Sequence, residues 1–65
     1  INFRVANAVA SARADSGKSQ MELATLTGID QSDISKIERG VANPSIVTLN
    51  RIAEALGKKL QITIN

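Results

Sequence analysis

The sequence predicts a compact all-α domain of four to five short helices, closed by a C-terminal β-strand that pairs across a dimer. Three observations lead there. Gly17, Gly28, Gly40 and Gly57 each follow a short apolar-periodic or polar-capped stretch, where helices commonly end on a left-handed residue. Helix-start residues (Ser19, Asp30 and Ser45) stand between these stops,. The apolar content is nearly all Ala, Ile, Leu and Val, with Phe3 the one aromatic, and small aliphatics suit closely spaced helices. At 65 residues the chain is one domain, 1–65, and one that buries only about 60% of its unfolded surface.

Helix one is predicted over 3–15, where Val5, Val9 and Ala12 repeat at i, i+4, i+7,. Helix two spans 20–27. Ser19 followed by Glu22 forms a capping box, in which hydroxyl and carboxylate satisfy each other's orphan amides, and Leu23 with Ala24 faces inward. Helix three spans 31–38, capped by Asp30, with Asp33 in its first turn and Ile34 and Ile37 on its inner edge. Ile29 plugs the turn before it. Helix four spans 46–56, started by Ser45 with Thr48 and buried through Leu49, Ile52, Ala53 and Leu56. In the tail the period changes: Leu60, Ile62 and Ile64 alternate with Gln61 and Thr63, which is a strand pattern. A lone strand cannot satisfy its own backbone, so 60–64 calls for a partner strand from a second copy.

The residue inventory excludes several function classes. With no Cys and no His there is no disulfide, no zinc-finger set and no imidazole base, and neither a metal nor a cofactor is expected. The carboxylates carry no nucleophile–base arrangement and no glycine loop cradles a phosphate, so the chain is not read as an enzyme. No apolar run approaches the roughly 18 residues of a membrane span, and no signal-peptide pattern is present. The expected location is the cytoplasm. The chain begins with Ile rather than Met, which reads as a trimmed or processed piece with an upstream segment missing. The net charge of +2 permits an anionic partner without demanding one.

The arrangement that carries function is the pair of short helices over 20–38, joined at Gly28. If Ile34 and Ile37 face the core, then Gln31, Ser32, Ser35 and Lys36 face out,. In a helix-turn-helix the second helix enters the major groove. There Gln pairs with adenine, Lys reaches guanine acceptors, and Ser serves either role while keeping the helix slim.

The run Gln20-Met21-Glu22-Leu23-Ala24, Thr27-Gly28-Ile29, Gln31 to Ser35, Ile37-Glu38-Arg39-Gly40, Asn43-Pro44-Ser45 and Leu49 to Gly57 resembles the Cro/phage-repressor (XRE) helix-turn-helix family, with its lambda-repressor-like fold. The resemblance covers about 13–57. It implies a sequence-specific, usually dimeric regulator that binds double-stranded operator DNA. Under it, Gln20 contacts a phosphate or flanking base, Gln31, Ser32 and Lys36 read bases, and Ser35, Arg39 and Asn43 hold the backbone. Arg13 and Glu38 fall where the family often has a partly buried ion pair. Lys18 replaces the apolar residue usual before the cap, which removes a hydrophobic staple and adds a phosphate-directed charge. From Ser32 to Glu38 and from Ala55 to Ile64 the chain is similar to HigA-type antitoxins, which repress their own operon and bind RelE/HigB-like toxins. The alternative reading is therefore a protein-interaction module for a toxin, with DNA binding secondary.

Overall fold

Local chemistry sets each helix boundary, and a computed structural model describes the outcome for residues 3–57. The elements are α1 (Phe3–Asp15), α2 (Gln20–Thr27), α3 (Gln31–Glu38) and α4 (Ile46–Ala55). The capping box at α2 is complete: Glu22 N–H donates to Ser19 Oγ at 3.0 Å, and Ser19 N–H donates to Glu22 Oε1 at 2.9 Å. Ser45 plays the same part for α4, its Oγ accepting from Thr48 N–H at 3.1 Å. Gly28 ends α2 at φ 74, with its N–H on the Ala24 carbonyl at 2.9 Å, and a side chain there would be strained in any surroundings.

Asp30 corrects the sequence reading. It occupies the N-cap position of α3, yet its carboxylate makes no capping hydrogen bond. The amide it would serve is already taken, because Asp33 N–H donates to the Asp30 carbonyl at 3.0 Å. The backbone at φ −59, ψ 139 also departs from the extended geometry of the two serine caps, which sit at ψ 167 and 165. Helix four closes one residue early, with Leu56 as its C-cap. The proposed strand 60–64, with Leu60, Ile62 and Ile64, lies outside the described residues.

The apolar faces meet in one core: Val5, Val9 and Ala12 from α1, Leu23 from α2, Ile34 and Ile37 from α3, then Ile52 and Leu56. Leu23, Ile34, Ile52 and Val9 are fully buried, each contributing about 1.5–3 kcal/mol of transfer free energy. Ala24, Ile29, Ala42, Leu49 and Ala55 pack around them. Helix α3 lies against both α1 and α2, and α2 also lies against α4. One side of α3 is therefore sealed by its neighbours, which fixes the direction of the other. Among the described residues no helix is long and apolar enough to cross a membrane.

Candidate nucleic-acid interface

Burial of Ile34 and Ile37 orients α3 like a keel. At 100° per residue the opposite face carries Ser32, Lys36 and Arg39, spaced i, i+4, i+7, with Gln31 and Ser35 along one edge,. Arg39 belongs to the row because the C-cap backbone stays right-handed helical, at φ −85, ψ −5. Gln31, Ser32, Lys36 and Arg39 are exposed, while Ser35 is half-buried. None of these five side chains has a hydrogen bond or ion pair within the described residues. Two donor-rich cations, an amide and a hydroxyl thus point outward from a helix anchored on its other side.

The turn that sets the angle between α2 and α3 is held from within. Thr27 Oγ1 donates to the Leu23 carbonyl at 2.8 Å and accepts from Ile29 N–H at 3.2 Å. One hydroxyl therefore closes the last turn of α2 and satisfies an amide beyond Gly28. The sequence reading assigned no role to Thr27; the signal was a threonine directly before the turn glycine, where such bonding competes well.

At the far end of α3 the structure brings Arg13 and Glu38 together. Arg13 Nε donates to Glu38 Oε2 at 2.7 Å and Nη2 to Oε1 at 2.9 Å. The third arm of the guanidinium, Nη1, donates to the Lys18 carbonyl at 2.8 Å. The side chains are 21% and 6% exposed respectively. The hydrogen bond to Glu38 raises the Arg13 pKa above its ordinary value, so the guanidinium stays charged at any relevant pH. Gln20 joins this cluster, its Nε2 donating to Glu38 Oε1 at 3.2 Å. Neither the Lys18 carbonyl nor the Gln20 amide was foreseen as a partner here: the first is a turn carbonyl five residues from Arg13, and the second lies 18 residues from Glu38.

Two predicted contact residues sit apart from the keel. Lys18 lines a shallow hollow of about 420 Å³ on the outer face of α2, with Met21, Glu22, Thr25 and Leu26. Glu22 has its pKa lowered, first by the backbone bond from Ser19, next by the Ser19 hydroxyl, with a smaller contribution from Lys18. Asn43 is exposed in the α3–α4 connection and shares a hollow with Asp33, Ile29 and Ile37, on the acidic edge of α3. The described residues balance in charge: Arg4, Arg13, Lys18, Lys36, Arg39 and Arg51 against Asp15, Glu22, Asp30, Asp33, Glu38 and Glu54. The net positive charge of the chain therefore resides in Lys58 and Lys59, beyond α4.

Comparison with known proteins agrees with this geometry. The helix-turn-helix family pattern matches residues 9–62. A relative from Haemophilus influenzae, named an uncharacterised HTH-type transcriptional regulator, is 41% identical over 63 residues, covering 94% of this chain and 64% of its own length. A protein of the same description from Sinorhizobium fredii is 40% identical over 45 residues, covering 69% of this chain and 58% of its own. A third, from Methanothermobacter thermautotrophicus, is 38% identical over 47 residues, 72% and 68% of the two chains. The chain thus spans less than two thirds of the length of the first two. With its four helices, glycine turn and matched pattern, the chain belongs to the helix-turn-helix family of the Cro/phage-repressor type.

Proposed function

We propose that this chain is the DNA-reading domain of a transcriptional regulator, one that lays α3 in the major groove of an operator. The observation that carries the reading is the unpaired row Ser32, Lys36 and Arg39, edged by Gln31, on a helix whose opposite face is locked into the core. Gln31, Ser32 and Lys36 read base edges. Arg39, Ser35, Lys18, Gln20 and Asn43 address phosphates and fix register. The names of the relatives support a regulatory role.

The regulator works as a two-fold dimer with recognition helices about 34 Å apart, one turn of DNA, and acts as a repressor of its own promoter, as an antitoxin would. A charge-balanced body supports dimerisation on energetic grounds. With two or three cations per copy to meet phosphates, one copy alone has little counterion release to draw on.

Selection of duplexes from a random pool, followed by titration of the winner at several salt concentrations, tests this reading. An enriched motif with two-fold symmetry is expected, with a log–log salt slope of about −3.6 to −5.4 per dimer. No enrichment, or binding insensitive to salt, contradicts it. Sedimentation checks the dimer separately, and a monomer at high micromolar concentration contradicts that part.

The second reading, a module that binds a protein such as a toxin, draws on exposed apolar side chains away from α3. Met21 and Leu26 on α2 are 64% and 57% exposed, and Ile46 and Val47 on α4 are 77% and 65% exposed. Under it, DNA binding is weak and a partner co-purifies.

A further inference from the structure

Gln20 is the first residue of α2 and Glu38 the last of α3, so a bond between their side chains ties the two helices of the motif end to end. That bond does not stand alone. Glu38 Oε1 accepts both Gln20 Nε2 and Arg13 Nη2, Oε2 accepts Arg13 Nε, and Arg13 Nη1 holds the Lys18 carbonyl. A carboxylate offers about four lone-pair sites, and three are occupied here. Its charge, which would repel a phosphate, is matched by the guanidinium two-pronged against it. The Gln20 amide keeps one Nε2 hydrogen and its Oε1 unused.

We infer that Glu38 is a positioning residue for DNA contact: it fixes the Gln20 side chain in one rotamer before DNA arrives, with a donor left over for a phosphate. A glutamine on a bare helix start would give up side-chain entropy on binding, whereas one already tethered has given it up in the folded protein. Through Arg13 the same carboxylate anchors the loop at Lys18, so the start of α2 is held as a unit. This inference rests on the DNA-binding reading above.

The test is a double-mutant cycle in affinity for the duplex selected by the parent protein, using Gln20→Ala, Glu38→Ala and the pair. Each is measured at a temperature where circular dichroism shows it folded. Each single change is expected to weaken binding about 3- to 10-fold, the range of one net hydrogen bond. The double variant should bind no worse than the weaker single, because without its tether Gln20 has little left to lose. If the two effects multiply, the residues act independently and the inference is overturned. A parent protein that selects no duplex overturns the DNA-binding reading itself, and this inference with it. Should Glu38→Ala not fold, nuclear magnetic resonance of the free parent decides. A single Gln20 rotamer with a protected side-chain amide supports the tether, and averaged rotamers overturn it.

Discussion

The two sides of α3 differ in one respect that explains both. On the inner side Ile34 is fully buried, Ile37 nearly so, and Glu38 has its carboxylate engaged by Arg13 and Gln20. On the outer side Gln31, Ser32, Lys36 and Arg39 make no bond within the described residues. The inner face spends its chemistry on the fold; the outer face holds its donors and acceptors in reserve. Even the helix start follows this division, since Asp30 leaves the first turn without a side-chain cap while Ser19 closes that of α2. A helix of eight residues is too short to persist alone, so its exposed face keeps its direction only because its neighbours hold it in place,.

The comparison breaks most visibly at Ile34. Ile34→Ala removes fully buried volume and should cost about 2–5 kcal/mol, against a total stability on the order of 3–10 kcal/mol for a domain this size. A urea melt should show the variant largely or wholly unfolded, and an unchanged midpoint would contradict the assignment of the inner face. Glu38→Ala comes next, at about 2–3 kcal/mol, because Arg13 is left partly buried without its counter-charge. Here the midpoint should fall while the folded fraction still binds nucleic acid with reduced affinity.

The smallest effect is a matter of pH. Glu22 has its folded pKa below the ordinary 4.5, so its stabilising part is present above that value and lost as pH falls through the lower folded one. The gap in stability between parent and Glu22→Gln should be open at neutral pH and close in acid. A gap that stays constant from pH 7 to strong acid would rule out the carboxylate as its source.

What the sequence made legible follows from range. The end of α1 and both bounds of α2 were readable because Gly17, Ser19 and Gly28 act within a few positions, while α3 was readable from Ile34 and Ile37 at helical spacing. The end of α4 was placed one residue late, since Leu56 continues the apolar period while its backbone has already left the helix. Asp30 was misread because composition cannot say that its own carbonyl would reach the Asp33 amide first. The outer face of α3 was readable from the inner one by helical geometry alone. The Arg13–Glu38 pair came through family resemblance, and the tether to Gln20 through neither, because it joins residues 18 apart.

The central claim is that the outer face of α3 reads bases, and the sequence preference of Gln31→Ala tests it most directly. Profiled on a library of variants of the selected duplex, this change should relax discrimination at one or two base pairs and cost about 1–3 kcal/mol of binding. The melting temperature should stay that of the parent, because Gln31 is exposed and holds nothing in place. A variant that discriminates among duplexes as the parent does, at every position, would contradict the claim.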